Sequence, residues 1–175
     1  HGVSPQNASY EYMMLIQPSG KEKKLYSKNL PYTVIRRGSN AHVVNDHITG
    51  ITAYACYEAY DSAASADGFA GLPKGKDAKP YLPISSIDAQ TMVMERTTGD
   101  GTVVMSICTP DLGITRKAYT TPQPSQPLLK KVVIDGEWDI VTPSENVSVT
   151  ADGGKTSVTA TCIDGQPVEF RLKKI

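Results

Sequence analysis

Repeated Asp-Gly turn signals set between runs of alternating β-branched residues constrain this chain more than any other feature. Met92 to Arg96 and Thr102 to Cys108 flank Thr98-Gly99-Asp100-Gly101, and Lys131 to Ile134 and Glu137 to Val141 flank Asp135-Gly136. Val147 to Thr150 and Thr156 to Ile163 flank Asp152-Gly153-Gly154, and Asp164-Gly165 leads into Pro167 to Lys173. Asp and Gly tolerate the positive φ values of type I′ turns, whose twist matches that of paired strands, so each signal predicts a hairpin. Val168, Phe170 and Leu172 alternate with Glu169, Arg171 and Lys173, so the last strand is expected to bury one face only. Hairpins repeated at this spacing predict an all-β, antiparallel β-sandwich. Thr109 to Pro127 holds four prolines and reads as a long edge crossover, because proline cannot donate to a ladder.

The first half is β-rich but less regular. Tyr10, Tyr12, Met14 and Ile16 alternate along a predicted strand that Pro18-Ser19-Gly20 ends. Tyr32 to Arg36, Ala41 to His47 and Ile51 to Tyr60 also read as strands, the last two joined as a hairpin by Thr49-Gly50. Asp61 to Pro83 is small, polar and rich in loop residues, with at most a helical turn near residues 58 to 66. A domain boundary is therefore expected near residue 84, separating residues 1–84 from 85–175.

Composition narrows the function classes. The chain has 175 residues, with Lys plus Arg at 18 and Asp plus Glu at 18, for a net charge of zero. Nucleic-acid binding normally draws on a basic surplus or a basic face, and the balance supplies no surplus. No apolar run approaches the ~18 residues of a membrane-spanning helix. The chain opens on His1-Gly2 rather than Met and runs at once into an apolar strand, which reads as a piece of something longer. Cys56, Cys108 and Cys162 cannot all pair with one another; each lies in an apolar or alternating run and reads as a buried thiol, the alternative being one Cys108–Cys162 bridge.

Candidate chemistry is sparse. His42 and His47 are five residues apart, so an extended strand sends them to opposite faces, and Asp46 diverges from His47. With no third ligand nearby they do not describe a zinc site. Asp67-Gly68 and Asp152-Gly153 lack the alternating ligands and distal Glu of a calcium loop and read as turns. There is no glycine-rich phosphate loop and no Gly-x-Ser-x-Gly elbow, and Cys56 has no neighbouring base in sequence. Trp138 reads as a core anchor, with a sugar-stacking platform as the alternative. Tyr10, Tyr12, Tyr54, Tyr57 and Tyr60 read as packing residues. Lys21-Glu22-Lys23-Lys24 reads as a solvated loop tip with some capacity to touch an anionic polymer. Asn7-Ala8-Ser9 and Asn146-Val147-Ser148 fit the glycosylation sequon. No catalytic, cofactor-binding or metal-binding residue is assigned.

One resemblance reaches further than the chemistry. His1-Gly2-Val3-Ser4-Pro5-Gln6-Asn7-Ala8-Ser9-Tyr10-Glu11-Tyr12 resembles the His-Gly-x-x-Pro-x-Asn-Ala-Ser-Tyr-x-Tyr segment of polysaccharide lyase family eight, the chondroitin, hyaluronan and xanthan lyases. Ala41 to Asp46 and Gly50 to Tyr54 resemble the next strands of that family. Gln126-Pro127, Gly136-Glu137-Trp138 and Gly165 to Leu172 are similar to the tail of its chondroitin sulfate ABC lyase branch. The resemblance implies a helical toroid followed by a large and then a small β-sandwich. Residues 1–84 would close the large sandwich and 85–175 would form the small one.

The implied parent is a secreted or periplasmic bacterial enzyme cleaving glycosaminoglycan by β-elimination at uronic acid. Its catalytic Tyr, His and Arg would lie in the upstream toroid and an acidic partner earlier in the large sandwich. This chain is therefore expected to be a structural or accessory part, inactive by itself, without cofactor, nucleic-acid partner or membrane span. The alternative is a stand-alone carbohydrate-binding module, and a generic adhesion-type sandwich is a further rival. Cut from a larger sandwich, the strands from residue 8 to 60 would lose partners and expose apolar surface, so self-association or marginal stability is expected.

Overall fold

Alternating Val, Ile, Thr and Tyr become strands wherever a second run lies alongside to complete the backbone hydrogen bonds. A computed structural model describes residues 11–63, 82–110 and 126–175. One short helix, α1 (Gly20–Tyr26), precedes β1 (Tyr32–Arg37), β2 (Ala41–Asp46), β3 (Thr52–Cys56) and β4 (Tyr60–Asp61). β5 (Ile84–Ile87), β6 (Thr91–Thr97) and β7 (Val103–Cys108) follow. The chain ends with β8 (Leu128–Asp135), β9 (Trp138–Ile140), β10 (Val147–Asp152), β11 (Lys155–Cys162) and β12 (Val168–Lys174). The chain divides into two compact units, His1–Leu30 and Pro31–Ile175.

The second unit is the expected all-β sandwich. One sheet has seven strands in the order β1-β2-β3-β6-β7-β12-β9, the other five in the order β10-β11-β8-β5-β4. All their pairings are antiparallel. Alternate residues point inward: Val43, Tyr54, Val93, Met105 and Leu172 from the larger sheet meet Ile84, Ile87, Val132, Ile134 and Val158 from the smaller in one core. Fully burying an aliphatic side chain of this size contributes roughly 1.5–3 kcal/mol. The outer faces are exposed or half-buried, as β6 shows with Thr91, Val93 and Glu95 inside and Met92, Met94 and Arg96 outside.

Three expected hairpins form. β2 and β3 pair across Gly50 at φ 73°, and β6 and β7 pair across a turn with Gly101 at φ 82°. β10 and β11 pair through Gly153 and Gly154 at φ 58° and 78°, the two positive values of a type I′ turn.

Two other signals are corrected. Asp135-Gly136 does not join paired strands: β8 lies in the five-stranded sheet, whereas β9 pairs with β12 in the seven-stranded one. Asp164 and Gly165 also take positive φ, 52° and 70°, yet β11 and β12 belong to opposite sheets. The reason is occupancy. β11 and β5 fill both edges of β8, and β10 and β8 fill both edges of β11, so the next strand must cross to the facing sheet.

The boundary expected near residue 84 falls inside the second unit. β3 pairs with β6, and β4 with β5, so strands from both sides of that position complete both sheets. Loop composition between residues 61 and 83 marks a connection, and lateral pairing decides whether a connection is also a boundary.

In the first unit, residues 11–16 form no strand, contrary to expectation, and Tyr12, Met14 and Ile16 are exposed. An alternating run needs a partner ladder, and no described residue of that unit supplies one. Lys21 to Lys24 lie on a helix rather than a loop tip. Ser19 caps α1: its Oγ accepts from the Glu22 N–H at 3.2 Å, and the Ser19 N–H donates to Glu22 Oε2 at 2.7 Å. This reciprocal box satisfies free donors at the helix start. The expected crossover from 109 to 127 lies largely outside the described residues. In place of the helical turn expected near 58–66, the described residues 58–63 hold the short strand β4, followed by a turn, and only 64–66 lie outside.

Candidate functional site

Histidine, the residue type best suited to acid–base work near neutral pH, is dispersed here. His42 projects from the outer face of β2 and meets the Tyr57 ring edge-on, with centroids 5.6 Å apart. His47 lies just beyond β2, its Nε2 2.8 Å from Thr33 Oγ1. Asp46 closes the turn locally, accepting from the Ile48 N–H at 3.0 Å, the Thr49 N–H at 3.3 Å and the Thr49 hydroxyl at 2.6 Å. Partial burial works to raise its pKa, but these hydrogen bonds together outweigh it and leave the carboxyl below its ordinary value. The structure thus does not bring His42, Asp46 and His47 together into a site. Among the described residues, no group of three or more His, Cys, Asp or Glu side chains is placed to hold a metal ion.

All three cysteines are free, and the alternative Cys108–Cys162 bridge is not formed. Cys56 lies in the core; burial pushes its thiol up to about 12, and the nearby Arg36 charge pulls it back only slightly. Burial also raises Cys108 and Cys162. Since the thiolate is the reactive form, alkylation of the native chain at mildly alkaline pH is expected to label half-exposed Cys108 first and leave Cys56 unmodified. Peptide mapping by mass spectrometry checks the order, and early labelling of Cys56 would show that this part of the core opens readily.

Trp138 is half-buried against the core at the start of β9. Its indole Nε1–H donates to the Asp135 carbonyl at 2.9 Å, and its backbone N–H donates to Thr156 Oγ1 at 2.9 Å. The ring closes over Gly136, where an added Cβ would come within 2.9 Å of Nε1 at a φ of +91°. Trp138 therefore pins the crossover between sheets. Tyr54 and Tyr60 are buried 6.0 Å apart in an edge-to-face contact, and Tyr54 Oη donates to the Leu82 carbonyl at 3.3 Å. The Arg36 guanidinium lies 5.0 Å from the centroid of the Tyr60 ring and donates to the Asp61 carbonyl at 2.8 Å. Tyr12 and Tyr57 are exposed, so they do not fill the packing role expected of them. Asn146 is exposed ahead of β10, whereas Asn7, Asp67 and Tyr10 lie outside the described residues.

Sequence reasoning missed one group. Asn45, Thr52 and Glu95 stand opposite one another on β2, β3 and β6, in a single inward row. Asn45 Nδ2–H donates to Thr52 Oγ1 at 3.0 Å. Glu95 is only 1% exposed, and neither carboxyl oxygen completes a well-formed hydrogen bond; the same holds for Asn45 Oδ1. Burial pushes the Glu95 pKa up to about 7, which Thr52 and the Leu82 backbone oppose only in part. The signal was present: Glu95 shares the parity of Thr91 and Val93.

No family model matches the chain. It is 27% identical over 180 residues to the chondroitin sulfate ABC endolyase of Proteus vulgaris, covering 100% of this chain and 15% of that enzyme. It is 25% identical over 193 residues to the chondroitin sulfate ABC exolyase of Bacteroides thetaiotaomicron, covering 99% of this chain and 18% of that enzyme. The fold is similar to that of a Streptomyces coelicolor A3 chondroitin AC lyase, with a TM-score of 0.62, 15% identity and coverage of 90% of this chain and 17% of the lyase. The same lyase in complex with chondroitin sulphate gives a TM-score of 0.60 at 14% identity. The chain thus spans 15–18% of the curated relatives it matches. Along essentially its whole length it is related to part of the chondroitin sulfate ABC lyases, in keeping with its resemblance to polysaccharide lyase family eight.

Proposed function

We propose that this chain is the C-terminal β-sandwich portion of a glycosaminoglycan lyase that acts on chondroitin or dermatan sulfate, with hyaluronan a further candidate, and that it supports the catalytic part without contributing catalytic residues. The observation carrying this reading is similarity to two chondroitin sulfate ABC lyases along nearly the full chain, over a small share of each enzyme. The dispersal of His42, Asp46 and His47 fits an accessory role. The parent would be exported from a bacterial cell to reach its polymer. No helix among the described residues is long and apolar enough to cross a membrane.

The reaction of such a parent is β-elimination. The uronate carboxylate is neutralised, a base removes the C5 proton, an acid protonates the departing 4-oxygen, and a C4–C5 double bond remains. That chemistry needs an acid and base of matched pKa and stabilisation of an enolate-like intermediate, supplied in this reading by an upstream helical toroid. The isolated chain incubated with chondroitin sulfate is expected to produce no unsaturated uronate, read by its ultraviolet absorbance. The longest natural polypeptide containing the chain is expected to produce it, and to lose thermal stability when the sandwich is deleted. Elimination by the isolated chain would overturn the accessory role, and an inactive long polypeptide would overturn the lyase reading.

A further inference from the structure

The chain is electrically neutral as a whole, yet α1 and the turn after it concentrate positive charge. Lys21, Lys24 and Lys28, with Leu25 and Asn29, line one groove of about 310 Å³. At ~100° per residue, positions 21, 24, 25 and 28 fall within one arc of a helix, whereas Lys23 points away. The backbone continues to turn past the helix end, with Lys28 N–H and Asn29 N–H both donating to the Leu25 carbonyl, which keeps Lys28 on that side. Along the axis, Lys21, Lys24 and Lys28 are separated by about 4.5 and 6 Å.

No residue of α1 is buried. Glu22, the one carboxylate on the helix, is turned back to Ser19 by the capping box and does not neutralise a lysine. Lys23 and Lys24 in the last turn gain from the helix dipole, but Lys21 sits in the first turn, where the dipole disfavours a cation. Helix stability therefore leaves Lys21 unexplained. Leu25, 52% exposed between the lysines, adds an apolar strip beside them.

Resting on the glycosaminoglycan lyase reading above, we infer that the Lys21–Lys24–Lys28 face is a docking surface for a sulfated polysaccharide chain. A sulfated uronate polymer presents carboxylates and sulfates at regular intervals along an extended strand. Flexible lysine stems set ammonium groups against such groups as adjustable point charges, and Leu25 meets the apolar face of a sugar ring. The surface would hold polymer near the parent enzyme, and would not itself perform chemistry.

Affinity electrophoresis of the full 175-residue chain through gels containing chondroitin sulfate tests this. Retardation is expected at low salt and should fade as salt rises. Converting Lys21, Lys24 and Lys28 together to Gln, which keeps helix propensity, is expected to weaken binding by about ten-fold and flatten the salt dependence. The triple Lys→Arg variant should retain binding, and Lys23→Gln should change it little. Failure of the wild-type chain to bind, equal binding by the triple Gln variant, or equal or tighter binding to single-stranded DNA each overturns the inference. None of these outcomes touches the lyase reading, which is decided by unsaturated uronate release from the longer polypeptide.

Discussion

Glu95→Gln is expected to stabilise the chain at pH 8 and to have little effect at pH 4. The folded-state carboxyl titrates near 7, above its ordinary 4.5, because burial between the sheets penalises the anion. The native state therefore holds its proton more tightly than the unfolded state does. Nothing is lost below about pH 4.5; stability then falls as pH rises towards 7, and the penalty is constant above that. The gap between the two values corresponds to roughly 3 kcal/mol. Gln keeps the shape without the charge, so the variant should lack this decline. Asp46 and Glu22, whose carboxyls are lowered, work in the opposite sense and lose their contribution only in acid. Denaturant unfolding at several pH values measures the difference. Parallel pH profiles for the two proteins would show that Glu95 has a charged partner or solvent access in solution.

Trp138→Ala is expected to lower stability by about 3 kcal/mol, at the modest end for aromatic truncation because the ring is half-buried. It removes the ring packed on the core and the indole bond to the Asp135 carbonyl, and uncovers Gly136 at the crossover. Binding to chondroitin sulfate should be unchanged under conditions where the variant remains folded. Urea melts and affinity electrophoresis of the same samples separate the two roles. Lost sugar binding with intact stability would make Trp138 a stacking platform instead, and would favour the stand-alone carbohydrate-binding module.

Why one Trp anchors a crossover rather than a hairpin could not be read from its neighbours. Turn chemistry is local: Gly153-Gly154 and Asp164-Gly165 adopt the positive φ values their residue types permit. Yet the first pair joins laterally paired strands and the second sends the chain to the opposite sheet. The α1 helix shows a different failure. Its signature, Ser19 followed three residues later by Glu22, was legible, but a solvated seven-residue helix has no apolar period to announce it. Glu95 was also legible by parity with Val93, since alternate residues of a strand share a face.

The sequence by itself determined the all-β class, most strand segments of the second unit though neither β5 nor the break between β3 and β4, the hairpins at Gly50, Gly101 and Gly153, and the kinship with chondroitin lyases. The class, strands and hairpins rest on backbone preferences within a few residues and on side-chain alternation of period two, whereas the kinship rests on the resemblance of residue blocks such as His1 to Tyr12. Only the tertiary structure decided that strands flanking residue 84 share both sheets, that Asp135-Gly136 and Asp164-Gly165 are crossings, and that Glu95 is sealed inside. Those outcomes depend on which strand edges are already filled by segments distant in the chain, and burial of a carboxyl follows from that pairing.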